Sequence, residues 1–139
     1  MNLRLTRLMT VTLCTLVCSA ILVVHIDAKG KNVTIDKNDQ TMTIECTGNA
    51  VTVSSDDNKI TLRGECSKLA VKGKDNNVNA ATIKEVVVSG TDNNVIVASV
   101  AKINVMGEDN NILWGSSIGG KAPKISKKAK DANIVHTGK

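Results

Sequence analysis

One short phrase is written three times in the middle of this chain, as Gly73-Lys-Asp-Asn-Asn-Val78, Gly90-Thr-Asp-Asn-Asn-Val95 and Gly107-Glu-Asp-Asn-Asn-Ile112, and it returns every 17 residues. A unit of that length cannot bury an apolar face by itself, so neighbouring copies must supply one another's core, which is the arrangement of a solenoid. Weaker copies flank the strong ones at Asn38-Asp-Gln-Thr-Met42, Asp56-Asp-Asn-Lys-Ile60 and Lys130-Asp-Ala-Asn-Ile134, making six coils in all.

The apolar residues around these phrases fall into two registers. Val33, Val51, Leu69, Val86, Ile103 and Ile125 open a first strand of each coil, and Met42, Ile60, Val78, Val95, Ile112 and Ile134 open a second, nine residues later. Within each strand apolar residues alternate, as at Val51 and Val53 or Ile60 and Leu62, which is the period of a half-buried strand and excludes helix. β-branched residues dominate the strands, and Gly or Asn is expected wherever a corner needs positive φ. The expectation is an all-β, single-domain parallel β-solenoid (β-helix) of about six coils with a 17–18-residue repeat. Stacked strands at about 4.8 Å make it a rod about 29 Å long.

A third inward position follows the second strand at Ile83, Val100 and Ile118, and Cys46 and Cys66 hold it in earlier coils. The two sulfurs therefore fall on consecutive coils, at a spacing a disulfide accepts. Closing a loop of about 20 residues is worth on the order of 3 kcal/mol. That matters in a chain with no Phe or Tyr.

The compartment is consistent with this bond. Arg4 and Arg7 precede an apolar run from Leu8 to Ile26, and Ile26-Asp27-Ala28 is an acceptable cleavage site, so residues 1–28 are expected to be an export signal and 29–139 the solenoid domain. Regular coils are expected over 29–114, with a loop and a lysine-rich terminal coil over 115–139. The rival reading is an uncleaved anchor, since the apolar run approaches the roughly 20 residues that span a bilayer. Both readings put the rest of the chain outside the cytoplasm, in periplasm, cell surface or medium, where disulfides persist. Cleavage removes Cys14 and Cys18 and leaves 16 Lys and Arg against 12 Asp and Glu. The excess is concentrated in residues 121–139, where six lysines face only Asp131, so no basic field for nucleic acid runs along the body.

With these residues laid out, the chain resembles a bacterial family of exported proteins known as domain of unknown function 3060. The likeness rests on the Cys46 to Cys66 segment, the Gly-x-Asp-Asn-Asn-Val turns, and Asn-Ile-Leu-Trp114 followed by Pro123-Lys-Ile125 and Asn133-Ile-Val135. It covers about residues 44–138. The resemblance implies an exported, repetitive β domain and brings no activity with it.

Six carboxylates, Asp39, Asp57, Asp75, Asp92, Asp109 and Asp131, recur three residues before each second strand and should stack. Neighbours about 5 Å apart repel by roughly 0.8 kcal/mol in water. Two arrangements offset that repulsion. Each Asp can accept a backbone N–H two residues on, as an Asx-turn, which is the expected one. Otherwise a cation such as Ca²⁺ sits between carboxylates, with Asp57, Asp75, Asp92 and Asp109 as candidate ligands. Beside them runs an amide column, Gln40, Asn58, Asn76, Asn93 and Asn110, expected to hydrogen-bond along the axis as a structural ladder.

Catalysis is poorly supplied in the exported part, with His136 alone near an expected frayed terminus and acidic pairs such as Asp56-Asp57 and Glu108-Asp109 only on turns. The leading expectation is a non-enzymatic cell-envelope or secreted binding or structural module with no cofactor. A cation-dependent binding protein using the Asp column and a small carbohydrate-active enzyme are the alternatives. The second strands turn Thr43, Thr61, Asn79, Ile96, Leu113 and Val135 outward, so Ile96, Leu113 and Val135 form an apolar stripe to be covered by a partner, a second copy or the 115–124 loop. Trp114, the only Trp, is expected to close the core beneath that loop. Lys121, Lys124, Lys127, Lys128 and Lys130 are expected first to protect the end of the rod from strand pairing, and second to meet an anionic polysaccharide. A membrane contact is expected only if the N-terminal segment stays uncleaved.

Overall fold

A computed structural model describes residues 30–138. The expected signal over residues 1–28 lies outside the described residues. Nine strands form one continuous sheet in which every pairing is parallel, wound into a succession of coils rather than laid flat. They are β1 (Val33–Ile35), β2 (Thr41–Thr47), β3 (Ala50–Val53), β4 (Lys59–Val71), β5 (Asn77–Val88), β6 (Asn94–Val105), β7 (Asn111–Ser117), β8 (Lys124–Lys127) and β9 (Asn133–His136).

Both apolar registers are observed residue for residue. Val33 pairs with Val51, then Leu69, Val86, Ile103 and Ile125, and Met42 pairs with Ile60, then Val78, Val95, Ile112 and Ile134. These columns, with Ile44, Leu62, Val53, Val71, Val88 and Val105 two residues on, form a single core along the axis, against which Met42 and Ile134 pack partly buried, while Ile125 in the last coil is exposed. The strands of the middle coils are longer than a two-strand coil requires. β4, β5 and β6 run on from the second face through a third side to the first face of the next coil. Cys66, Ile83 and Val100 are fully buried on that third side.

The third side is where the coil length changes. Coils closed by Cys46 and Cys66 carry one residue more than those closed by Ile83 and Val100. Gly48 and Gly64 sit there at φ 86° and 74°, and the pairing of β4 with β5 slips between Leu62 and Glu65. This is a glycine bulge. The expected disulfide is formed, with Cα atoms 5.0 Å apart, but the two cysteines do not share one register: Cys46 pairs with Gly64, and the bond reaches Cys66 two residues further on, across the bulge. In the fifth coil the third inward place belongs to Ser117, which pairs with Val100, and not to Ile118. Gly119 and Gly120, both at positive φ, curl the chain into a 3-10 turn at Ile118–Gly120, which carries Ile118 off the strand and leaves it half-buried. Regular pairing accordingly extends beyond residue 114 to Ser117.

Candidate functional site

The repeated phrase makes the most regular corner of the rod, and its parts have different tasks from those expected. Positive φ belongs to the aspartates: Asp39, Asp57, Asp75, Asp92, Asp109 and Asp131 all lie between 51° and 58°. The left-handed region costs most L residues roughly 1–2 kcal/mol, and Asp is among the few that visit it routinely. Each corner thus turns on one αL residue whose N–H reaches the next coil, as Asp57 to the Lys74 carbonyl at 3.0 Å and Asp75 to that of Thr91 at 3.2 Å. The expected Asx-turns are not formed, and no carboxylate of this column accepts a backbone N–H among the described residues. With φ positive the side chain projects into solvent, and all six are exposed. Water, not a local hydrogen bond, therefore screens their repulsion. Asp75 also lies 3.5 Å from the Lys74 ammonium. Asp57, Asp75, Asp92 and Asp109 stack as a column, yet no group of three or more carboxylate, His or Cys ligands gathers among the described residues.

The glycines of the phrase do not have positive φ. Gly73, Gly90 and Gly107 are instead places of close approach, where an added Cβ would overlap the carbonyl oxygen of Ser55, Gly73 and Gly90 respectively. That closeness serves the amide column beneath. Asn58, Asn76, Asn93 and Asn110 are each only 1% exposed. Asn76 Oδ1 accepts from the backbone N–H of Asn58 and from its Nδ2, both at 3.0 Å, and Asn93 repeats this toward Asn76 at 2.9 and 3.1 Å. The second Nδ2 proton goes back to a carbonyl of the preceding coil: Asn93 to Gly73 at 2.9 Å and Asn110 to Gly90 at 2.8 Å. All four hydrogen-bonding positions of a middle amide are thus used. Gln40 is not a rung, since its side-chain amide turns out to the Asn38 carbonyl and only its backbone N–H meets Asn58. The ladder stops at Ala132, which occupies the next place and is buried. A second ladder, missed in the sequence, links Asn133 to Asn111 and Asn111 to Asn94 one residue further along. The doubled Asn of each phrase was its signal.

Three outward surfaces remain available. On the first face Glu85 bridges Lys102 at 2.8 Å and Lys68 at 3.5 Å across three coils. The hydrogen bond from Lys102, aided by the charge of Lys68 and opposed by partial burial, holds the Glu85 carboxyl below its ordinary value. On the second face Ile96, Leu113 and Val135 lie in register as expected, with Ile96 and Val135 each 37% exposed. Leu113 between them is half-buried. Beside this stripe lie the neutral Asn94–Asn111–Asn133 ladder and the small residues Ala98 and Gly115, whereas the same face of earlier coils carries Lys59 and Arg63.

The third surface is the C-terminal end. Trp114 takes the inward column after Val97 and packs half-buried against the core, as expected. His136 is not frayed: it follows Trp114 in the same column, stacks on it with centroids 4.0 Å apart, and its Nε2 lies 2.8 Å from the Gly115 carbonyl. Lys124 and Lys127 lie in β8 and Lys121, Lys128 and Lys130 in the flanking turns, all exposed.

A family model described as "Protein of unknown function (DUF3060)" matches residues 53–98 and again 82–131. The overlapping hits reflect the repeat. Neither a curated protein nor a solved structure matches the chain.

Proposed function

Because this chain belongs to the DUF3060 family, whose membership brings a fold and no activity, we propose a role from the rod's own surfaces: an exported, non-enzymatic module that holds a partner in the cell envelope or medium. The observation that carries this reading is the stripe of Ile96, Leu113 and Val135, exposed at Ile96 and Val135 and half-buried at Leu113, flanked by neutral and small side chains on a continuous sheet. A flat patch of that kind admits a partner without burying charge. Its three rows on three coils are well short of the roughly 1,000 Å² of a stable assembly, so the contact is weak and transient.

Two further features support the proposal. The Cys46–Cys66 bond suits an oxidising compartment. The buried amides of the corner are consumed by one another, and Glu85 is held ionised by its lysines rather than poised to give up a proton. Fractionation of the producing cell should place the oxidised chain outside the cytoplasm. A photo-crosslinker at Asn79, beside the stripe, should capture a partner whose yield falls with Leu113→Lys and is unchanged by Thr43→Lys at the other end of the same column. Equal yields from both variants, or a cytoplasmic reduced chain, contradict the proposal.

A further inference from the structure

The terminal coil does not look like a cap built for solubility alone. The five ion pairs of the rod all lie between Glu45 and Lys102, and none of Lys121, Lys124, Lys127, Lys128 and Lys130 has a carboxylate partner among the described residues. Register sets Lys124 directly beside Lys102, a like-charge neighbour on adjacent strands, which is a destabilising arrangement. Lys127 continues the inward Val105 column. A protective edge accounts for the lysines but calls for polar residues between them. Instead Ile125 is 48% exposed on the end strand and Met106, one coil beneath Lys128, is 47% exposed. The lysines come from the loop, from β8 and from the turn before β9, and β9 carries none, so they spread over more than one side of the terminal coil rather than tracking a single strand.

We propose that this end of the rod docks on an anionic lipid bilayer, with the lysines meeting headgroup charges and Ile125 entering the interface. Cations spread over several segments beside exposed apolar residues fit a plane, whereas a linear acidic polymer needs a track. This contact lies at the opposite end of the rod from β1.

Among the described residues every core residue and every strand pairing lies within residues 33–136, so a chain beginning at Lys29 contains all of these contacts and is the one to test. It should sediment with vesicles of mixed phosphatidylcholine and phosphatidylglycerol, not with phosphatidylcholine alone, and salt should release it. Changing Lys124→Gln, Lys127→Gln and Lys128→Gln together should weaken binding on the order of a hundredfold, at about fivefold per cation. The same three positions changed to Arg should retain it. Ile125→Ser should weaken binding by about tenfold. Equal sedimentation with neutral vesicles overturns the proposal. So does a triple Gln variant that self-associates yet still binds, which leaves edge protection as the role, or vesicle binding indifferent to Ile125→Ser in a rod that takes up soluble acidic polysaccharide equally well.

Discussion

Two corners of the same coil are built on opposite plans. At the Asp-Asn corner every coil has the same length and one αL residue, and the four coils of Asn58, Asn76, Asn93 and Asn110 carry a hydrogen-bonded amide in the interior. Across the rod, the corner of Cys46 and Cys66 varies in length, bulges at Gly48 and Gly64, and buries Asn49 with its Nδ2 lacking a protein acceptor. The difference shows what forces regularity. A ladder of buried amides tolerates no change of spacing, because each rung left without its neighbour strands polar groups in a low dielectric. Where the interior contact is a disulfide or an aliphatic side chain and the outside is solvated, an extra residue is absorbed by a bulge.

The largest effect should come from breaking a rung. Asn93→Ala strands the N–H and one Nδ2 proton of Asn76 and the carbonyl of Gly73, and leaves Asn110 Oδ1 with only the backbone N–H of residue 93. At about 1–3 kcal/mol for each group that finds no water, urea denaturation should report a loss of at least ~3 kcal/mol. A loss under ~1 kcal/mol says that the amides are interchangeable with water. The irregular corner depends instead on its covalent bond. Replacing Cys46 and Cys66 with Ala should cost about 3 kcal/mol and loosen the first coil, while the Asn93 environment seen by NMR stays fixed.

Much of this was legible in the chain. The period and its two apolar columns, down to the pairing of Ile103 with Ile125, follow from alternation and counting, as does the placement of Cys46 against the coil of Cys66. The inward side of the repeat was legible because burial and periodicity share one signal. The allocation of work inside the phrase was not. Asp, Asn and Gly all suit turns, and sequence alone does not say which takes positive φ. Here the glycines are spent on close stacking, so the aspartates turn the corner. Nor could spacing show that Gly119 and Gly120 would divert Ile118 from the core, since the diversion needs their positive φ.

That allocation gives the next test. Gly90→Ala drives a Cβ into the Gly73 carbonyl and the Asn93 amide and should cost ~1–3 kcal/mol by overpacking. Substitution at Gly48, where nothing lies within 4 Å of an added Cβ, meets only its backbone preference. The smallest effect belongs to the solvated ion pairs. Glu85→Gln should cost less than about 1 kcal/mol at neutral pH, since its lysines are half-exposed. The Glu85 carboxyl titrates lower when folded than when unfolded, so its contribution is complete above the ordinary value of 4.5 and is lost as pH falls through the lower folded value. Wild type and Glu85→Gln should therefore converge in stability in that acid range.

Native-state hydrogen exchange tests the comparison most directly, because it reads both corners in one molecule. The amides of Asn58, Asn76 and Asn93, each donating to the next rung, should exchange only through global unfolding, whether the disulfide is oxidised or reduced. Those of Gly48 and Ser67, which bond to Glu65 and Asn49 at the other corner, should lose protection on reduction. If the asparagine amides exchange as readily as Gly48, or fall with it when the disulfide is reduced, the buried ladder is not what makes this rod regular.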